Sequence, residues 1–203
     1  ADLDLVATKT PYAVCTSNQQ DAAFYTAQGV YQTIKASAEH HLDKSLNALK
    51  INIQGLGAVG FHLVSLLRKH TKDILVTDIS DERIAMAKAQ FPDIQTCSPE
   101  AIFSKNADVF SPCALGGVIN ADTINLLRCK IVCGAANNQL ASRGMDSFMS
   151  ERGIVYIPDF FANGGGLIYA ASAYFNQGTD TADRQISDIY PRALAYCRAA
   201  SLE

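Results

Sequence analysis

Gly55, Gly57 and Gly60 stand in the run Ile51-Asn52-Ile53-Gln54-Gly55-Leu56-Gly57-Ala58-Val59-Gly60. The spacing G-x-G-x-x-G is weak by itself. Its context gives it meaning: an apolar run before it, a helical pattern after it, and an acid at the end of the next apolar run. In that setting each glycine has a separate task. Gly55 permits the tight turn, Gly57 leaves room for a pyrophosphate against the backbone, and Gly60 lets the following helix lie close to the sheet. With Leu56, Ala58 and Val59 they form a candidate phosphate-binding loop, because a helix N-terminus presents unpaired N–H groups and the positive end of its dipole. Asp78 closes the next apolar run, Val76-Thr77-Asp78-Ile79, 18 residues past Gly60. A carboxylate near that distance accepts hydrogen bonds from the hydroxyls of a ribose and repels a 2′-phosphate. The first base after it is Arg83, so the expected cofactor is NAD rather than NADP. Helix capping is the competing role for Asp78, and Ser80 or Asp81 fits that role better.

These residues need a sheet to hold them. Segments 50–54, 74–77, 94–97, 109–111, 131–133 and 155–156 read as short apolar strands with few alternating polar positions, the pattern of strands covered on both faces. Between them, helices are predicted over 58–70, 81–90, 99–103, 121–127 and 142–152, then over 166–175 and 181–200. Pro191 either kinks the last helix or opens a new one. Strands alternating with helices imply α/β architecture: a Rossmann-type, doubly wound parallel sheet with helices on both faces. Ahead of it, residues 1–18 read as irregular, with a turn at Thr10-Pro11. Residues 19–41 read as a helix with Phe24, Ala27, Val30, Tyr31, Ile34 and Ala38 at helical spacing. The expected organisation is an N-terminal segment and helix, 1–41, packing on a cofactor domain over 42–203.

Composition narrows the classes. The chain has 203 residues, 48% apolar and 18% charged, with a net charge of −3. That is ample core material, which excludes intrinsic disorder as the main state. A weakly acidic chain argues against nucleic acid as the partner and against a polybasic membrane anchor. No apolar run approaches the roughly 18 residues that span a bilayer. The opening Ala1-Asp2-Leu3-Asp4-Leu5 has no signal-peptide character, so a cytoplasmic location is expected. It also lacks an initiator Met, as a processed or excised piece would. Cys15, Cys97, Cys113, Cys129, Cys133 and Cys197 form no C-x-x-C pair and no zinc-ligand spacing. They are expected to be free, mostly buried thiols with no metal, Cys129 and Cys133 on one face of a strand.

Taken in order, further stretches resemble a known family. They are Gln54-Gly55-Leu56-Gly57-Ala58-Val59-Gly60, Val76-Thr77-Asp78-Ile79, Ser111-Pro112-Cys113-Ala114-Leu115-Gly116-Gly117, Gly134-Ala135-Ala136-Asn137-Asn138-Gln139-Leu140, Gly153-Ile154-Val155-Tyr156 and Pro158-Asp159-Phe160-Phe161-Ala162-Asn163-Gly164-Gly165-Gly166. Order and spacing resemble the cofactor domain of the Glu/Leu/Phe/Val amino-acid dehydrogenases, the leucine dehydrogenases most closely, over residues 1–197. The Pro-Cys-Ala-Leu-Gly-Gly and Ala-Asn-Asn-Gln-Leu stretches are specific to that family rather than to dinucleotide folds in general.

The resemblance implies roles that spacing does not give. Thr26 matches a threonine near the nicotinamide. Cys113-Ala114 and Ala136-Asn137 match loops that cradle the nicotinamide ribose. Asn163 matches the asparagine that holds substrate or the nicotinamide end, although an ordinary turn residue is the plainer reading of it. The family usually has Asn-Ala-Gly-Gly where this chain has Asn163-Gly164-Gly165-Gly166, a departure expected to loosen the loop.

The family's catalytic lysine and aspartate lie in a separate N-terminal domain, and no Gly-Gly-Gly-Lys-type stretch occurs here. No catalytic residue is therefore expected in this chain. It resembles the second half of an enzyme that moves the Cα hydride of an L-amino acid to NAD and releases a 2-oxo acid and ammonia. The missing N-terminal catalytic domain and further copies of the chain in a homo-oligomer are the implied partners. Ile186, Ile189, Ala193 and Leu194, with Arg184 and Arg192 the only bases nearby, favour an apolar, branched-chain substrate. The alternatives are a glutamate or phenylalanine dehydrogenase, or a non-catalytic NAD-sensing module. The Asn137-Asn138-Gln139 and Asn163-Gly164-Gly165 loops argue against a sensor, which needs no substrate asparagine.

Overall fold

The computed structural model describes residues 2–10, 13 and 22–200. Six strands build one sheet: β1 (Ile51–Gln54), β2 (Ile74–Thr77), β3 (Gln95–Thr96), β4 (Val109–Pro112), β5 (Ile131–Val132) and β6 (Val155–Tyr156). Their order is β3-β2-β1-β4-β5-β6 and every pairing is parallel. The order reverses between β1 and β4, and ligands of open α/β sheets bind outside the strand C-termini at such a switch point. Gln54 at the end of β1 is level with Thr77 on one side and Pro112 on the other, so three strand ends open onto the same edge.

The strands alternate faces as their short apolar runs require. Ile51, Ile53, Ile74, Val76, Val109 and Ile131 pack on one side. There they meet α2 (Ala22–Leu42), α3 (Ala58–Leu67) and α9 (Ile189–Ala200) through Val30, Ile34, Leu63, Leu67 and Cys197. Leu75, Phe110 and Val132 face the other side, against Ile102, Leu127 and the α5 (Met145–Glu151) residue Met149. The remaining helices are α1 (Asp2–Ala7), α4 (Asp81–Gln90), α6 (Asp159–Ala162), α7 (Gly165–Tyr174) and α8 (Thr179–Ser187). A smaller cluster joins Tyr25 on α2 to Tyr169 on α7, their rings stacked at 4.3 Å, with Ala182, Ile186 and Ile189 around them.

Several local expectations are corrected. Within the stretch expected to be irregular, Asp2–Ala7 is helical, and Thr8 Oγ1 closes its end on the Leu5 carbonyl at 2.7 Å. Pro11 and Cys15 lie outside the described residues. The segments at 99–103 and 121–127 form only single 3-10 turns, Ala101–Ser104 and Ile124–Leu126, since each supplies one short apolar plug for the far side of the sheet. The stretch 181–200 is two helices broken at Asp188. Pro191 sits in the first turn of the second, where its missing N–H leaves no bond unmade. Cys129 and Cys133 do not share a face: Cys133 packs with Ile131, and Cys129 packs on the opposite side. The reason is that β5 begins only at Ile131, so the strand alternation does not extend back to Cys129.

Candidate dinucleotide site

The three glycines of the loop after β1 have three different surroundings. Gly55 has φ +96°, and a Cβ there would lie 2.9 Å from Ala114. A Cβ on Gly60 would stand 2.0 Å from the Gly55 carbonyl oxygen, so this glycine is demanded by the packing of α3 on the loop. Gly57 is unlike both. Its backbone is extended and nothing lies within 4 Å of where a Cβ would point. No protein contact requires a glycine there, whereas a ligand lying on the backbone would. Gly57 also caps α3 without any side-chain hydrogen bond, which leaves the first-turn N–H groups of a ten-residue helix for an anion.

Asp78 follows β2 and turns into the loop. Its Oδ2 accepts the Leu56 N–H at 2.6 Å and its Oδ1 accepts the Ser80 N–H at 2.9 Å. Ser80, as expected, is the cap of α4, accepting the Arg83 N–H at 3.3 Å. Between these elements lies a cleft of about 430 Å³ lined by Gln54, Gly57, Asp78, Ile79, Pro99 and Cys113, among others. Its apolar wall suits an aromatic base and its single acid suits sugar hydroxyls. A separate hollow of about 700 Å³ opens at the other end of α2, between Lys35, Glu39, His70 and Tyr190. It lies away from the glycine loop and the strand C-termini, so the cleft rather than this larger hollow is the candidate site.

Across the switch point the structure brings the other expected residues to the same edge. The Cys113 N–H donates to the Gln54 carbonyl at 2.7 Å, and the Ala136 N–H donates to the Pro112 carbonyl at 2.9 Å. Burial pushes the Cys113 thiol above its ordinary value, with Ser111 Oγ 3.5 Å from its sulfur partly opposing the shift. Cys113 is thus a protonated wall residue rather than a nucleophile. Asn163 follows α6, and its Nδ2 donates to Asn137 Oδ1 at 2.7 Å and to the Ala135 carbonyl at 3.1 Å. The carbonyl only accepts, which fixes the amide orientation. With both hydrogens engaged, what Asn163 presents to a ligand is its Oδ1, an acceptor.

Thr26 joins this group through close backbone approach. A Cβ on Gly166 would lie 2.2 Å from Thr26 Oγ1, and one on Gly165 would lie 2.0 Å from the Tyr25 carbonyl oxygen. Glycines therefore let the first turn of α7 dock directly on α2. Gly164, the position where the family usually has alanine, has φ −61° and ordinary helical geometry.

The signature of the Glutamate/Leucine/Phenylalanine/Valine dehydrogenases matches residues 73–188. This chain belongs to that family. The valine dehydrogenase of Streptomyces virginiae is 36% identical over 202 residues, 96% of this chain and 56% of that protein. The leucine dehydrogenase of Thermoactinomyces intermedius is 34% identical over 95% of this chain and 54% of its own. Among solved structures, the L-tryptophan dehydrogenase of Nostoc punctiforme superposes with a TM-score of 0.84 at 34% identity, covering 88% of this chain and 55% of that one. The chain thus spans just over half the length of the curated relatives it matches.

As a family member, the chain holds its site with residues that sequence reasoning left without a role. Asp159 Oδ2 accepts the Asn138 N–H at 2.6 Å, and Gln139 Nε2 donates to the Gly134 carbonyl at 2.9 Å. The Asp159 bond ties the loop after β5 to the loop after β6, and the Gln139 bond closes the loop after β5 on itself. Their only signal in the sequence was membership of the quoted motifs. Arg83, the first base after Asp78, has its Nη1 3.6 Å from Asp78 Oδ2.

Proposed function

We propose that this chain is the NAD-binding half of a dehydrogenase that oxidatively deaminates an apolar L-amino acid, branched-chain in preference, to a 2-oxo acid and ammonia. The observation that carries the reading is the pairing, on one sheet edge, of an open glycine cradle at Gly57 with an amide at Asn163 whose free atom is an acceptor. A dinucleotide needs the first. An amine-bearing substrate, or the carboxamide of a nicotinamide, offers N–H donors to the second.

Bound NAD supplies a hydride acceptor at its nicotinamide ring. The chain's own residues bind and orient. The α3 N-terminus would hold the pyrophosphate, Asp78 would take ribose hydroxyls, the loops at Cys113-Ala114 and Ala136-Asn137 would hold the nicotinamide ribose, and Thr26 would serve the nicotinamide end. Such orientation is worth several kcal/mol of a reaction barrier, up to about 7–11 in favourable cases. The proton transfers on amine and iminium are assigned to a lysine and an aspartate of a facing catalytic domain outside these 203 residues. Closure of the two halves would exclude water from the hydride step.

The apolar substrate is supported by Leu167 at the start of α7, which is 75% exposed beside the Asn163 loop. Arg184 folds back onto its own helix, reaching the Asp180 carbonyl and Thr181 Oγ1 at 3.4 Å each, rather than offering itself to an acidic substrate. Ile186, Ile189 and Ala193 are buried in the core and do not bear on the choice. The division at residue 41, a cytoplasmic location and assembly into a homo-oligomer belong to the same proposal. Among the described residues no helix is long and apolar enough to cross a membrane.

The test is to titrate the purified chain with NAD by calorimetry, then mix it with NAD and leucine, valine, phenylalanine or glutamate and follow NADH absorbance. Binding without turnover is expected, because acid–base groups alone carry about 10²–10⁴-fold. Turnover at an ordinary dehydrogenase rate would place the catalytic base within this chain and overturn the assignment. Recovery of activity on adding an upstream domain would support it.

A further inference from the structure

Two amides stand on one face of β1, and their surroundings differ. Asn52 is level with Leu75 and Phe110, which face the side of the sheet away from α2 and α3. Gln54, two residues on, faces the same way. The Asn52 Nδ2 donates to the Lys105 carbonyl at 2.9 Å and to the Ile102 carbonyl at 3.4 Å. Its oxygen has no partner, but the side chain is locked into the framework at its nitrogen. Gln54 lies one layer nearer the strand C-termini, half-buried, and lines the cleft. Its Oε1 is buried with no hydrogen-bond partner, and the described residues make no bond to its nitrogen.

The neighbours explain why this amide is left over. Thr77 and Pro112 are level with Gln54 on either side. The Thr77 hydroxyl donates its hydrogen to the Cys97 carbonyl at 2.9 Å, and a proline has no N–H to give. Ile79, Pro99, Leu115 and Val118, further along the cleft, carry no side-chain donor or acceptor. A buried amide oxygen without a donor is destabilising, so its partner should come from what the cleft holds. Of the parts of a dinucleotide, the phosphates suit the α3 N-terminus and the ribose hydroxyls suit Asp78. The base remains. Adenine presents a donor at N6 beside an acceptor at N7, the pattern that a glutamine amide meets with both of its ends.

We infer that Gln54 reads the adenine base: its Oε1 accepts from the 6-amino group and its Nε2 donates to N7, which makes the cleft selective for adenine over a 6-oxopurine. Rotation about the last side-chain torsion, which is broad in glutamine, brings the oxygen from its buried position to the base. The inference rests on the cleft being the adenosine end of a nicotinamide-dinucleotide site, as proposed above. The competing role is a framework amide that helps to hold the strand ends together.

The experiment is calorimetric titration of the wild type and Gln54→Met with NAD and with nicotinamide hypoxanthine dinucleotide, whose base carries a 6-oxo group in place of the amine, together with thermal unfolding of both proteins. The wild type should favour NAD by about tenfold, the scale of one hydrogen bond. Gln54→Met keeps the length of the side chain and removes its polar atoms. It should weaken NAD by at least that factor and bring the two dinucleotides to within about twofold of each other. Its melting temperature should hold or rise, because a buried oxygen without a partner is gone. Equal wild-type affinity for the two dinucleotides, unchanged NAD affinity in Gln54→Met, or a variant that melts lower and loses both ligands equally overturns the inference and leaves the dinucleotide reading standing. A wild-type chain that binds neither dinucleotide overturns both.

Discussion

The carboxylate of Asp78 accepts the main-chain N–H of Leu56 at 2.6 Å. The acid at the end of β2 is thereby part of the glycine loop that follows β1. Asp78→Ala would leave two main-chain donors, those of Leu56 and Ser80, without their partner. A lost charge-assisted acceptor costs about 1–3 kcal/mol, so urea midpoints should fall accordingly. NAD binding should weaken by about 1–2 kcal/mol on calorimetry, on the same scale for lost hydrogen bonds. Unchanged NAD affinity would remove Asp78 from the ribose site.

Gly57 and Gly60 separate ligand from packing. Gly57→Ala meets open space on an extended backbone, so the melting temperature should hold while NAD binding falls tenfold or more, about 1.4 kcal/mol. Gly60→Ala drives a methyl group into the Gly55 carbonyl and should cost about 1–3 kcal/mol of stability, as overpacking does. Thermal unfolding and NAD titration of both variants distinguish the two.

Asn163→Asp replaces a donor with an acceptor facing the Ala135 carbonyl and Asn137 Oδ1. Repulsion there should displace the loop after β6, lowering stability by about 1–3 kcal/mol for the unpaired groups and reducing NAD affinity. Asn163→Ala should be milder for the fold, since it leaves partners unpaired without adding a charge. Denaturant unfolding ranks the two, and the opposite order would remove the donor role from Asn163.

Gly164→Ala restores the alanine usual in the family. The new methyl group would find its nearest neighbours at 3.6 and 3.7 Å, the carbonyl oxygens of Phe160 and Phe161, and the backbone is already helical. A gain of about 0.4–1 kcal/mol is expected, because the unfolded chain loses freedom while the folded chain loses nothing. A loss of stability would show that this loop needs the glycine.

The described thiols should react slowly at neutral pH. Burial raises the Cys113 thiol, pushes Cys129 up to about 12 and holds Cys133 well above its ordinary value. A raised thiol pKa keeps the unreactive protonated form through neutrality, so alkylation should accelerate as pH climbs past about 9. Peptide mass spectrometry after iodoacetamide treatment reads this residue by residue. Fast labelling of Cys113 at pH 7, or stoichiometric zinc in the purified protein, would contradict a passive wall role.

The glycine loop, Asp78 and the strand runs were legible because their signals are local. A tight turn, a helix start and a strand end each lie within a few residues, and a parallel strand covered on both faces writes its burial directly into an apolar run. The loops at Cys113, Ala136 and Asn163 were legible only through family resemblance, since their spacing carries no chemistry of its own. Other features depended on segments distant in the chain. Docking of Gly165 on the Tyr25 carbonyl and of Gly166 on the Thr26 hydroxyl joins two helices with most of the chain between them, and no periodicity marks it. The same is true of the engagement of both Asn163 hydrogens by Asn137 and Ala135, which leaves that side chain an acceptor. The apolar late residues Ile186 and Ile189 read in the sequence as support for an apolar substrate; packing of α8 and α9 against α2 made them core. Local sequence was enough for the sheet, the glycine loop and the acid beside it. Which polar atoms remain for a ligand depends on contacts between distant segments, because a hydrogen bond already made inside the protein is invisible until its partner is in place.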